Sequence, residues 1–248
     1  MAKTLALIGM EIRRTLANGR YILFTIAWPV VFYLLFTSIY GGGSLDRLSV
    51  NRFLLVSMAA YGGLGAAFNA NSTRLSMERA SGWVRQLRAT PLGAGAYVIG
   101  KTVMAALVVL PSLVAVGLAG VVFHHVSMPA GMWLRLGLAL WLGTLPFALL
   151  GILVGYLFDS QTASSASTII YLGLSLLGGL WIPIQVMPTA LRDVARWTPS
   201  YRYADLGWRV LAGQAPSAAD LVILGAYTLL FALAAARRYR LDEAREYA

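Results

Sequence analysis

The chain has 248 residues, 58% of them hydrophobic and 12% charged, with a formal net charge of +10 and no cysteine. Soluble domains carry about 25% charged residues, so the composition excludes an ordinary water-soluble globule, and the missing thiols exclude disulfides, a cysteine nucleophile and Cys-based metal sites. Basic residues flank apolar runs, as topology signals do, and form no basic stripe or motif of the kind that reads nucleic acid.

Lys3–Ala17 repeats Leu5, Ile8, Ile12 and Leu16 at three- to four-residue spacing, with Glu11, Arg13 and Arg14 off that stripe. Asn18-Gly19 supplies a left-handed stop. The pattern suits a helix lying in the membrane interface, with an ordinary cytosolic helix as the alternative. The first uncharged run, Tyr21–Tyr40, carries Pro29 at its middle. It is too long for a signal h-region and lacks a small-residue cleavage site, so it is expected to stay as a first transmembrane helix. Gly41-Gly42-Gly43 breaks it, and Asp46, Arg47 and Arg52 form a short loop. The second span, Phe53–Thr73, is rich in Gly and Ala, which let helices approach closely.

Arg74–Lys101 is the longest charged internal segment. Its periodicity predicts an amphipathic helix with Met77, Ala80, Trp83, Val84 and Leu87 on one face and Arg74, Glu78, Arg85 and Arg88 mostly opposite, ended by Pro91 and Gly93. Spans three and four are expected near Thr102–Phe123 and Met132–Phe158, the latter with Pro146 and a Gly151…Gly155 pair. The fifth falls at about Ala163–Trp181. Pro183–Ser217 is punctuated by four prolines and predicts two short amphipathic helices, Thr189–Trp197 and Tyr203–Leu211, at the outer interface. The sixth span is Ala218–Ala236, stopped by Arg237, Arg238 and Arg240. The expected fold is therefore all-α and integral to the membrane, residues 1–248 forming a single transmembrane domain of six helices. An interfacial helix occupies 1–20, a cytoplasmic helix 74–91 and outer re-entrant or interfacial helices 183–217. With both termini cytoplasmic, thirteen of the twenty Lys and Arg lie inside and seven outside, the sense of the positive-inside rule.

Gly95-Ala96-Tyr97-Val98-Ile99-Gly100-Lys101-Thr102 matches the pattern GxxxxGK[ST]. A phosphate-binding loop follows a buried strand inside an α/β domain. Here the residues between the glycines are apolar and run into a membrane span, so Lys101 is read as an inside anchor for that span. His124-His125 lacks a nearby acid or cysteine to complete a metal site, and Asp159 falls at a span end, where a loop or cap role is expected. No ionisable residue sits at the centre of a predicted span, unlike ion-coupled carriers. Energy for any transport is therefore expected from another chain.

In this order and spacing the segments resemble the ABC-2-type (type V) exporter permeases over nearly the whole length. The residues that carry the resemblance begin with Glu11…Arg14 and Asn18…Arg20, followed by a span bearing Pro29. Next come Glu78-Arg79-Ala80-Ser81-Gly82, Leu87, Thr90-Pro91-Leu92 and Gly100-Lys101, which are similar to the family's coupling segment. Gly178-Gly179…Pro183, Met187-Pro188 and Trp197-Thr198-Pro199…Tyr203…Arg209 follow. Arg85 departs, standing where many members carry an acid.

The resemblance implies the transmembrane subunit of an ATP-driven exporter in a bacterial inner membrane. The permease would pair with a second copy or a similar permease, with two separate ATP-binding cassette subunits docked on the cytoplasmic face. It implies no cofactor or catalytic site on this chain, with ATP and Mg held by the partner. Coupling would fall to Glu78, Arg79, Gly82, Trp83, Leu87, Thr90 and Pro91, although packing under the spans is the alternative for Trp83 and Leu87. A substrate path at the dimer interface would be lined by Gly62, Gly65, Asn69, Ser164, Thr168 and Ser175, with close helix packing the alternative for the glycines. A weakly charged path suits a hydrophobic or amphiphilic drug, natural product or lipid, and membrane lipids surround it. An ATP-independent scramblase or sensor partner is the competing reading.

Overall fold

The computed structural model describes residues 9, 19–40, 43–45, 48–84 and 94–246. The expected interfacial helix Lys3–Ala17 lies outside them, except for Gly9, which is helical. The elements in chain order begin with α1 (Gly19–Tyr40) and a two-stranded hairpin, β1 (Ser44–Leu45) and β2 (Leu48–Ser49). Then come α2 (Val50–Asn69), α3 (Ser72–Ala80) and α4 (Ala94–His124). The remaining helices are α5 (Ala130–Leu142), α6 (Leu145–Leu157), α7 (Ser160–Leu177), α8 (Thr189–Ala195), α9 (Pro199–Leu211) and α10 (Ala218–Glu246), with a 3₁₀ turn at Ile184–Val186. Among the described residues the architecture is all-α apart from the hairpin, where Ser44 pairs Ser49 and Leu45 pairs Leu48 in the stretch expected to be a loop.

Four helical stretches among the described residues are long and apolar enough to cross a membrane: Val50–Ala80, Tyr97–His124, Ala130–Leu157 and Ala218–Asp242. Thr25–Tyr40 is apolar but shorter. The first turns of α7 are Ser160-Gln161-Thr162-Ala163-Ser164-Ser165, too polar to read as a span by hydropathy.

α2 is the hub. It is apolar almost all round and buried from Phe53 to Phe68, as a helix enclosed on every side must be. Its glycines make that enclosure possible. A Cβ at Gly62 would overlap Ser112 of α4 and Pro29 of α1, and one at Gly63 would overlap the Tyr203 hydroxyl of α9. One at Gly65 would lie 2.7 Å from the Tyr171 hydroxyl of α7. Pro29 is buried within a helix that continues past it. Where α1 and α4 end, Thr37 donates its hydroxyl proton to the Tyr33 carbonyl at 2.6 Å. The 2.7 Å contact with His124 Nε2 is therefore one in which the imidazole N–H donates to Thr37.

The expected fourth span is two helices. α5 stops at Gly143, and Pro146 sits in the first turn of α6, where proline's fixed φ and missing N–H suit a new start. Thr144 Oγ1 turns back to the Trp141 carbonyl at 2.6 Å. The Tyr203 ring lies directly over Gly143, where a Cβ would be 2.9 Å from Tyr203 Cε2, and meets Phe147 at a ring distance of 5.4 Å. α9 thus enters the bundle at this break. It begins four residues before the expected Tyr203, at Pro199, because Thr198 caps it by accepting from the Tyr201 N–H. Trp208 stacks on Phe53 at 4.7 Å and donates Nε1–H to the Phe53 carbonyl. The segment is therefore packed into the protein and does not merely rest on the interface.

Asp159 caps α7, accepting from the N–H groups of Gln161 and Thr162 and from the Thr162 hydroxyl. The Thr162 N–H is the main cause that holds its carboxyl below the ordinary value.

Candidate functional site

The end of the molecule that holds α3 collects the charged residues that the sequence singles out. α3 resumes directly after α2, across a turn at Ala70-Asn71. Asn71 Nδ2 donates to the Ala148 carbonyl of α6 at 3.0 Å. α3 then lies along α6 at very short range. A Cβ at Gly151 would overlap the Phe68 carbonyl oxygen, and one at Gly155 would sit 2.9 Å from the Ser72 carbonyl and 2.8 Å from Leu75 Cβ. Small residues four apart are what such backbone approach requires. Gly151→Val must push a backbone carbonyl aside and is expected to cost about 1–3 kcal/mol. Gly137→Val, at a position with nothing within 4 Å, is the control. Equal thermal midpoints for the two variants in detergent would contradict this packing.

Leu75 packs with Val84, Tyr97, Leu149, Ile152, Tyr156, Ala235 and Tyr239, joining α3, α4, α6 and α10 in a second core. Two charged residues of α3 point into this junction. Glu78 is only 2% exposed and accepts from Lys101 Nζ of α4 at 2.6 Å. Arg74 Nε, one turn back, lies 3.4 Å from its other oxygen. Lys101 is also 2% exposed, and its ammonium sits 5.7 Å over the Tyr97 ring. Arg79 donates Nη1–H to the carbonyls of Gly155 and Tyr156 at 3.0 and 3.3 Å. These belong to the last turn of α6, whose carbonyls lack intrahelical partners and favour a cation. Its Nη2 donates to Asp242 Oδ1 of α10 at 2.6 Å, and its guanidinium lies 5.3 Å over the Tyr156 ring.

This departs from the expected faces at Met77, Ala80 and Glu78, while Val84 of the expected apolar face is buried. Met77 is 55% exposed and Glu78 is inside. The expectation placed Lys101 at the start of span three, whereas α4 begins at Ala94, so Lys101 is already two turns along it. There it supplies the counterion that makes a buried Glu78 tolerable. The Gly95–Thr102 stretch is helical throughout, so it forms no phosphate-binding loop. Gly82 ends α3 with φ +73°, its N–H bonded to the Arg79 carbonyl, a left-handed stop that glycine adopts without strain. Trp83 is half-buried beyond it. Leu87, Thr90 and Pro91 lie outside the described residues.

The residues expected to line a path do not form one surface in a single copy. Gly62 and Gly65 are packing glycines, as described. Ser175 is buried and donates to the Tyr171 carbonyl at 2.7 Å. Asn69 is half-buried. Ser164 and Thr168 alone face outward, on the exposed side of α7. Asn71 and Asp242 carry contacts the sequence reading did not anticipate. The signal for Asp242 was the helical run on past Arg240, which a hydropathy boundary at Ala236 cut off.

A family model described as "ABC-2 family transporter protein" matches residues 44–237. The chain belongs to this family. It is also 30% identical over 223 residues, 90% of this chain and 91% of the other, to the Bacillus subtilis (strain 168) protein named "Putative transport permease YvfS". This ABC-2 chain is thus a multi-pass membrane protein and a transport permease subunit, of a family that works with an ATP-binding subunit. The matched region runs from the hairpin into α10. It contains Glu78, Arg79 and Lys101, and ends five residues before Asp242.

Proposed function

We propose that this permease is the transmembrane subunit of an ATP-driven exporter that moves a hydrophobic or amphiphilic molecule outward. Two separate ATP-binding subunits, holding ATP and Mg, drive two permease copies in a bacterial inner membrane. This chain contributes no hydrolytic site of its own. α1 and α7 complete six spans with the four longer apolar stretches, and both termini are cytoplasmic. The observation that carries the reading is the seating of α3. A short helix at the end of the spans, presenting Met77, Ala80 and Ser81 outward, is fixed on its inner face by charged contacts to three other elements. A helix held in this way can receive force from a docked partner and deliver it to the spans. The uncovered faces of α1 and α7, with Trp28, Leu35, Ser164 and Thr168 exposed, are where a second copy and the cargo path are placed.

The test is purification in mild detergent, with identification of co-purifying chains and an ATPase assay. A stoichiometric ATP-binding subunit whose hydrolysis depends on this chain is expected. A permease that repeatedly purifies alone, without ATPase activity, would sink the proposal.

A further inference from the structure

We infer that Asp242, on the extension of α10 beyond its apolar stretch, is a positioning residue for coupling. Through Arg79 it binds α3, α6 and the end of α10 into one body, so that a push on α3 reaches the last span directly. The inference rests on the exporter reading above.

The argument starts from length. α10 has 29 residues, about 43 Å of helix at 1.5 Å per residue, against about 30 Å of hydrocarbon. Its end therefore projects past the bilayer, at the level of α3. The projection is not free to swing. Tyr239 is buried between the rings of Tyr97 and Tyr156, 5.9 Å from each. Arg237, Arg238 and Arg240 face outward from the same turns. On the inner side Asp242 accepts from Arg79 Nη2 at 2.6 Å, while Nη1 of the same guanidinium holds the last carbonyls of α6. A planar cation with several fixed donors is suited to holding three elements in one geometry. The pair is half-screened, 25% and 22% exposed at the side chains, so it is stronger than a surface pair but still breakable. The path from α3 into α2 instead crosses the turn at Ala70-Asn71.

The absence of native cysteine makes the test clean. Spin labels on cysteines introduced at Ser81 and Leu241, both exposed, report the separation of α3 from the α10 extension. In the complex with the ATP-binding subunit, the wild-type separation is expected to stay the same with and without ATP. Asp242→Ala should shift the latched-to-released ratio by about tenfold, the scale of one charged hydrogen bond, adding a second distance population and lowering transport per ATP hydrolysed. Asp242→Glu should restore both, a rescue that loss of general stability would not predict. A wild-type distance that changes with ATP, or Asp242→Ala with one distance and normal transport per ATP, overturns the inference. Failure of any ATP-binding subunit to associate with the unlabelled wild-type chain instead overturns the exporter reading. The distances in the permease alone then still decide whether Asp242 holds the latch.

Discussion

Glu78→Ala is expected to destabilise the permease by about 3–5 kcal/mol, the usual consequence of removing one partner of a buried ion pair. The Lys101 ammonium is 2% exposed and lies 2.6 Å from Glu78 Oε2. Removing the carboxylate leaves that cation, with Arg74 close by, in a core of Leu75, Tyr97, Ile152 and Tyr156. Glu78→Lys should be worse, since it adds a third cation to the same space. Glu78→Leu combined with Lys101→Met should recover most of the loss, because an apolar pair of similar volume has no charge to desolvate. Thermal midpoints in one detergent check the series. A single variant that melts with the wild type would show that the pair is not closed in the protein. The double variant also separates two roles for Glu78. If it is stable, binds the ATP-binding subunit and transports normally, the charge serves folding alone. If it is stable but hydrolyses without transporting, the charge serves coupling.

The same pair shows where the sequence was legible and where it stopped. Uncharged runs located the long apolar helices, because hydropathy depends on local composition alone, although the boundary at Ala236 fell short of the end of α10. The Asp159 cap was readable too, since a cap is satisfied within its own turn. The orientation of α3 was not. Periodicity assigned Glu78 to the outer face because a carboxylate belongs in water unless a partner waits for it. That partner is 23 residues away on a helix whose start was misplaced by eight residues. The break in the fourth span is a similar case. Pro146 was placed inside one continuous span, and only the Tyr203 ring lying over Gly143 makes this point the seat of α9. The substrate-path residues were chosen for being small or hydroxylated, and both kinds also serve close packing. Gly62, Gly65 and Ser175 went to packing, and only Ser164 and Thr168 stayed on a free face.

At the far end of α10 from Asp242, Asp220→Ala is expected to cost about 2–3 kcal/mol and to loosen α9 before it unfolds the bundle. Asp220 is fully buried in the first turn of that helix. It accepts from Arg202 Nη1 at 3.1 Å and from the Ser217 N–H at 3.1 Å, and lies 3.3 Å from Arg209 Nε. Hydrogen bonds to a charged group contribute about 1.5–3 kcal/mol each. The loss is moderated here because both arginines reach solvent, at 15% and 33% exposure, and Arg209 keeps Asp205 at 2.7 Å. That is why the figure stays below the one for Glu78, whose partner Lys101 is only 2% exposed. Burial holds the Asp205 carboxyl above its ordinary value, with the Asp220 charge adding to the rise, so the variant should also reduce that rise. The apolar anchors of α9, Tyr203 over Gly143 and Trp208 on Phe53, are untouched. The helix should therefore stay seated at its centre and fray at its charged side. Faster tryptic cleavage after Arg202 and Arg209, with a midpoint only modestly lowered, is the expected pattern. Cleavage no faster than in the wild type would mean that the aromatic anchors alone hold α9, and that Asp220 caps its own helix without clamping its neighbour.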